Sequence, residues 1–587
     1  MQRSQGRNIG LWLGITAVAV GSLSPLAGSA EAQNAPVGVN PSPQGSRALG
    51  LTAADLVIVN AKVWTGSKPS SPEPTAIAVA GDSIVAVGTD ALVRTRVGDK
   101  TILIDAQWRR VIPGITDSHT HLISGGFQLA RLMLRDVRSR EEFIHAVQAE
   151  VKKKNKGEWV IGGRWSVESW DKPEPPNKAW LDPISPDNPV FLSRMDGHQA
   201  LVNSAALKLA GINAHGPPDS VGGEIERDLK TREPTGILKE SNMDLLDRFI
   251  PEPTRAERRE ALLRALKHAN SFGVTSVHDM SQPADLDIFR QASEQNTLTV
   301  RITAYLNVED WSARIADTVQ AKELWTAPMF RMAGFKGFMD GSLGSRTAYM
   351  REPYADATPT TLHPRGQLTA FASSQTFQQQ VTLADEKDLQ MAVHAIGDEG
   401  IHLLLDAYEA AARQNDSTDR RHRVEHAQHL LVSDIPRFSK LGVVASMQPF
   451  HKADDGRYAE KAIGAERLKG SYAFRQLVDA GALVVFGSDW PVVTLNPFAG
   501  IDAAVNAKTL SGEVWLPSHS LTIEEALRAY TVSPPRAIHQ ESRLGSLEVG
   551  KLADMVILVD DPLKMPRERL AEVKVAQTIV GGKVVFP

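Results

Sequence analysis

Four short apolar stretches of this chain each end in a histidine or an acid. The first is Ile112-Pro113-Gly114-Ile115-Thr116-Asp117-Ser118-His119-Thr120-His121. On an extended strand, residues i and i+2 point the same way, so the rings of His119 and His121 face one site. Neutral imidazole is a good ligand for zinc-like ions. Asp117, two residues earlier on that face, can accept a ring N–H and fix a tautomer. Met391-Ala392-Val393-His394 repeats the pattern, and Arg423-Val424-Glu425-His426 repeats it one strand-plus-helix unit later. Leu483-Val484-Val485-Phe486-Gly487-Ser488-Asp489 ends in a carboxylate. A single histidine at a strand end is usually just hydrogen-bonded. Four such ends together are hard to explain by packing. They can converge on one or two divalent metal ions, with zinc as the default among metals that suit imidazole and carboxylate.

Composition narrows the chemistry. The 587 residues include 16 histidines and no cysteine. Disulfides, Cys-ligated zinc and thiol nucleophiles are excluded, so a metal site must use His, Asp, Glu or a modified Lys. The formal net charge is -4, so no basic field exists to attract nucleic acid or an anionic membrane. Hydrophobic residues make up 42% and charged residues 23%, ordinary globular values in a chain long enough for a large barrel and an appended domain.

The strand ends must be brought together by something. From about Val111 to Ile538, short apolar strands alternate with amphipathic segments of helix length, such as Arg255 to Phe272, which argues for a parallel sheet with crossover helices. A (β/α)8 TIM-type barrel collects side chains at the C-terminal ends of its strands. The predicted fold is such a barrel over residues 111–540. An insertion at about 162–250, rich in Pro, Asp and Gly, is expected to form a lid or substrate wall. Residues 51–110 read as strands, with a hairpin turn at Gly81-Asp82. Residues 541–587 read as strands too. Neither end alone has enough strands to bury a core, so the two are expected to pair into one small β-sandwich domain. Residues 1–32 have the order of a signal peptide: Arg3 and Arg7, an apolar run from Ile9, then Ala30-Glu31-Ala32. Residues 33–50 read as a flexible terminus. The expectation is an exported protein, periplasmic or extracellular, with no membrane attachment after cleavage.

The wider text then becomes recognisable. Pro113 to His121, Arg194-Met195-Asp196-Gly197-His198 with Val202-Asn203-Ser204, Pro234-Thr235-Gly236-Ile237, Lys336-Gly337-Phe338-Met339-Asp340-Gly341-Ser342, and Gly487-Ser488-Asp489-Trp490-Pro491 resemble the amidohydrolase superfamily. The match is to its formamide-deformylase-like branch, the YtcJ-like amidohydrolase family 3. That resemblance implies that His119 and His121 bind the more buried metal, and that His394 and His426 bind a second position. It implies that Asp489 is both ligand and general base, and that Lys336 is carbamylated and bridges two ions. A lysine that snorkels or pairs with Asp340 is the other reading of Lys336. The expected reaction is hydrolysis of a non-peptide carbon–nitrogen bond in a small amide-type substrate by metal-activated water. Asp489 would take a proton and return it to the leaving nitrogen.

Weaker expectations attach to other residues. His198 is expected to orient substrate, Arg346 to bind a substrate carboxylate or else anchor its own loop, and Trp165 with Trp490 to wall the pocket or else pack in a core. His278 is expected at the mouth without touching metal, while His422, His429 and His451 are read as structural or exposed. Two alternatives stay open. One is a deaminase or cyclic-amide hydrolase on the same fold. Mononuclear deaminases usually carry Glu three residues after a site histidine, and here Gly397 and His429 stand there. The other is an exported, non-catalytic metal-binding protein, disfavoured because no flexible His-rich loop is present.

Overall fold

Eight strands pair side by side, all parallel and in chain order. They are β1 (Ile115–Thr120), β2 (Val274–Ser281), β3 (Arg301–Asn307), β4 (Phe330–Phe338), β5 (Gln390–Ala395), β6 (Arg423–His426), β7 (Val444–Met447) and β8 (Leu483–Phe486). The ring closes where the chain leaves β8: Asp489 donates its N–H to the His119 carbonyl at 2.7 Å, and His121 donates to the Trp490 carbonyl at 2.8 Å. In this computed structural model the described residues are 53–587, apart from 68–71, 169, 171 and 309. The signal-peptide and flexible-terminus expectations, residues 1–50, lie outside them. Among the described residues no helix is long and apolar enough to cross a membrane.

The strands are short and almost wholly buried, as parallel strands covered on both faces must be. Helices cover the outer face. The helix Arg255–Ser271 shows how sequence sets one of them. Thr254 caps its start and Glu257 reaches back to the cap, a full capping box. Ala261, Ala265 and Ala269, one turn apart, bury one stripe with Leu262 and Leu266. Gly273 at φ +78° ends it and feeds β2.

The expected strand from Ile112 to His119 is in fact two. Arg110–Pro113 pairs antiparallel with Met555–Leu558 in a different sheet, and β1 begins at Ile115. Gly114 makes the crossing: a Cβ there would lie 2.1 Å from Thr275 Oγ1. Around that crossing both chain ends build one β domain. Leu56–Val59, Ala76–Ala80, Ser83–Gly88 and Ile102–Asp105 form a four-stranded sheet. Lys62–Val63, Arg110–Pro113, Met555–Leu558, Val575–Val580 and Lys583–Phe586 form a five-stranded one. Leu56, Ile58, Ile77 and Val79 share a core with Val111, Met555, Ile557 and Ile579.

The insertion is larger than 162–250. Its six-stranded sheet already includes Leu132–Met133 and runs through Pro234–Glu240. The helix Arg140–Val151 packs Phe143 and Val147 into its core, not onto the barrel. The apolar stripe of a helix shows that a face is buried, not which sheet buries it. Trp165 belongs to that same core with Trp170 and Trp180, donating its indole N–H to the Leu192 carbonyl at 2.8 Å. It therefore does not wall the pocket.

Candidate metal centre

The ends of β1, β5 and β6 and the turn after β8 bring His119, His121, His394, His426 and Asp489 together, as their periods required. The Nε2 of His121 lies 3.2 Å from Asp489 Oδ1, and that of His119 lies 3.5 Å from it. The ring of His426 is 4.8 Å from that of His119 and 4.4 Å from that of His394. One ligand atom each from His119, His121 and Asp489 lie within 4.8 Å of one another, and so do those of His426, His451 and Asp489. His394 is not in either compact set.

Three of the four rings are turned by a partner on the other nitrogen. Glu425 Oε2 takes the Nδ1 of His119 at 2.5 Å, and Gln448 Oε1 takes the Nδ1 of His426 at 2.8 Å. The Gly341 carbonyl takes the Nε2 of His394 at 2.9 Å. An acceptor on one nitrogen leaves the other with its lone pair free, as a metal requires. Burial lowers the His119 ring to about 4 and holds His394 and His426 well below the usual imidazole range. Burial alone would raise the Asp489 carboxyl. The surrounding imidazoles, His119 first, outweigh it and hold the group ionised. Its Oδ1 is buried with no hydrogen-bond partner. Histidine rings around an ionised carboxylate with a free, buried Oδ1 fit a divalent cation.

Lys336, on β4, reaches the same place. Its Nζ lies 3.5 Å from His119 Nε2 and 4.7 Å from the centre of the Phe338 ring. Burial lowers it to about 8. It makes no ion pair with Asp340, whose carboxylate instead accepts the backbone N–H groups of Tyr349, Ile396 and Gly397.

Several expectations are corrected. Asp117 does not hold a ring. It accepts the N–H groups of His119 and Ser488, at 3.1 and 2.9 Å, and so ties the end of β1 to the end of β8. The ring partner of His119 is Glu425, on β6 itself. Arg346 does not face the cavity as a free cation: Asp356 takes its Nε and NH2 groups, and the Leu343 carbonyl takes NH1, so it anchors its own loop. Trp490 packs on Gly125 and stacks on His268 at 5.3 Å. His278 sits fully buried below the mouth, its Nδ1 facing Arg423 at 2.7 Å. His422 and His429 are held by Asp385 and Ser471. His451, read as structural, instead lines the cavity beside His426 and Asp489. Nothing in its sequence context marked it, because it sits on a helix, Pro449–Asp455, and not at a strand end.

The insertion roofs the site. His198 stands 4.9 Å from His394, its Nδ1 on Glu240 at 2.9 Å. Burial opposes its charge, but Glu240 outweighs burial and raises the ring to about 9. Asp196 accepts Ser342 and Ser345 from the loop after β4 and pairs with Arg194, which also pairs with Glu168. The cavity between roof and barrel, about 40 Å³, is lined by His198, His394, His426, His451, Asp489 and Val492 among others.

These features have counterparts in known proteins. The chain is 38% identical over 547 residues to Protein LONG AFTER FAR-RED 3 of Arabidopsis thaliana, covering 91% of this chain and 92% of that one. It is 29% identical to the N-substituted formamide deformylase of Arthrobacter pascens, covering 90% and 97%. The crystal structure of an uncharacterized metal-dependent hydrolase from Pyrococcus horikoshii superposes with a TM-score of 0.69 at 27% identity, covering 87% of this chain and 99% of that one. The model of the amidohydrolase family matches residues 103–586. With a barrel, an appended β domain and a histidine-carboxylate centre at its mouth, the chain belongs to the amidohydrolase family, in its formamide-deformylase-like branch, and is a metal-dependent hydrolase.

Proposed function

We propose that this hydrolase cleaves a carbon–nitrogen bond, other than a peptide bond, in a small amide-type molecule. The observation that carries the proposal is the Asp489 carboxylate, held ionised, its Oδ1 buried without a hydrogen-bond partner and set between histidines in a roofed cavity. The formamide deformylase relative supports the bond class. A divalent ion held by His119, His121 and Asp489 would make water nucleophilic near neutral pH and polarise the carbonyl. Asp489 accepts a proton from the attacking water as its oxygen bonds to the carbonyl carbon. It then passes that proton to the nitrogen as the carbon–nitrogen bond breaks, releasing a carboxylic acid and an amine. His198, from the roof, orients the substrate.

The same proposal takes the centre as one or two zinc ions, with His394 and His426 serving the second. Lys336 supports the count of two: its lowered pKa leaves a larger neutral fraction able to add CO2 with loss of a proton, and the carbamate oxygens would add ligands. Elemental analysis of the purified protein and of Lys336→Ala tests this. Two ions per chain falling toward one establishes the bridged pair, and one ion in both makes Lys336 structural. No metal after reconstitution sinks the proposal. Export completes it, and N-terminal sequencing of the mature protein checks for cleavage near Ala32.

A further inference from the structure

His451 is the histidine of the centre whose chemistry the sequence left unassigned. Its ring stacks on His426, centroids 6.1 Å apart and planes 10° apart. A ring nitrogen lies within 4.8 Å of ligand atoms of both His426 and Asp489. Position alone would make it another metal ligand. The hydrogen bonds behind it say otherwise.

Asp455 accepts two phenols, Tyr458 O–H at 2.5 Å and Tyr472 O–H at 2.6 Å. A carboxylate between two phenols is an acceptor, so the Tyr472 proton points at Asp455. The Tyr472 oxygen must then accept from its other neighbour, the Gln428 side chain at 2.5 Å. That fixes the Gln428 amide with its NH2 toward Tyr472, a choice the amide alone would leave open. The same NH2 group faces the Nδ1 of His451 at 3.4 Å. A donor aimed at Nδ1 leaves no room for a proton there, so the neutral ring carries its proton on Nε2. That Nε2 is buried, lines the cavity and has no acceptor among the described residues. A metal ligand needs a lone pair at that atom, and this one carries hydrogen. An N–H left without an acceptor beside a reacting centre is placed for charge that develops later.

We propose that His451 is a catalytic residue that donates its Nε2–H to the oxygen of the scissile carbonyl, held in that tautomer by the chain Asp455–Tyr472–Gln428. The inference rests on the hydrolase reading above. As water oxygen bonds to the carbonyl carbon, the carbonyl π pair moves onto its oxygen, and the His451 N–H takes up that charge by hydrogen bonding without transferring its proton. When the pair returns and the carbon–nitrogen bond breaks, the donor is unchanged. Gln428 and Tyr472 are positioning residues.

The test uses the metal-loaded full chain. Imidazole ¹⁵N spectra, with the His451 signals assigned by their loss in His451→Asn, should show the Nε2–H tautomer. An Nδ1–H tautomer overturns the proposal. Metal content in His451→Ala and His451→Asn should equal that of wild type, and the loss of one ion per chain would make His451 a ligand instead. Against a panel of N-formyl and N-acetyl amines, either variant should lose about 10²- to 10³-fold in kcat with little change in KM. An unchanged kcat overturns the proposal. Gln428→Glu puts an acceptor at Nδ1, so it should switch the tautomer to Nδ1–H and lower kcat at constant metal content. If wild type hydrolyses nothing in the panel, the hydrolase reading fails, while the spectra and the metal counts still decide the tautomer and the ligand question.

Discussion

At the scale of residues, the centre divides into groups placed to meet an ion and groups that aim them. His119, His121, His394, His426 and Asp489 were legible because each ends a short apolar strand, and strand ends converge in a barrel. Glu425 was not, although it stands next to His426. Its neighbour in space, His119, is on a strand far away in sequence, and no period links the two. Arg423 holds Glu425 through Nε at 2.6 Å, and both are fully buried. We expect Glu425→Ala to weaken metal binding about 10- to 100-fold, measured by competition with a chelator, since removing such ring partners has that effect. Asp489→Asn should lower kcat about 10³-fold, the scale of a lost general base, while most of the metal stays bound. Acidity gives a further readout. Metal binding needs the unprotonated ring, and burial lowers His119 from 6.5 to about 4. Protons therefore do not compete for His119 near 6.5, where an exposed imidazole would take one up. Bound metal, followed by dialysis against buffers of falling pH, should be retained there and released as pH falls toward about 4. Release already near 6.5 would mean that protonation of His119 does not set the loss of metal.

At the scale of elements, periodicity reads existence better than assignment. The alternation of strands and helices was enough for a parallel barrel, and Arg255 to Phe272 was read within a residue of its helix. The helix Arg140–Val151 lies in the span read as barrel, ahead of residue 162, yet it packs into the insertion's core, because an apolar stripe fits either sheet. Trp165 failed for a related reason: a large aromatic in an insertion suits a pocket wall and a core alike, and only its neighbours Trp170 and Trp180 decide. Some close contacts leave a mark in sequence only as glycine. The helix Leu122–Gln128 follows directly from His121 and lies against Arg255–Ser271, where a Cβ on Gly126 would stand 1.9 Å from the Ala261 carbonyl oxygen. That atom is backbone and cannot swing away. Gly126→Ala should cost about 1–3 kcal/mol, the scale of an overpacked core, and lower the thermal midpoint. Because His121 caps that helix, it should also loosen the metal. A variant as stable and as metal-rich as wild type would show that the two helices can part without disturbing the site.

At the scale of the molecule, the strands of residues 56–113 and 555–586 meet in one β domain, and one buried pair ties it to the barrel. Arg301, at the start of β3, gives Nε to Asp554 Oδ2 at 2.6 Å and NH2 to Oδ1 at 2.8 Å. Asp554 also takes the N–H of Gly581, at the turn between the last two strands, and its own carbonyl takes the N–H of Gly114. One residue thus joins β3, the crossing into β1 and the final hairpin. Residues 541–587 read as strands in the sequence, but nothing in them showed that the partner of Asp554 lies in the barrel. Asp554→Ala leaves the Arg301 guanidinium buried without its carboxylate, a change that costs about 3–5 kcal/mol where such pairs are broken. Asp554→Ala with Arg301→Met removes both charges and should recover much of that loss, since an apolar replacement of a buried pair is often near neutral. Limited proteolysis should cut the single variant in the β domain while the barrel stays intact, and the double variant should resist. Equal losses in both variants would mean that packing of Val111, Met555 and Ile557 holds the β domain in place and that the ion pair merely sits within it.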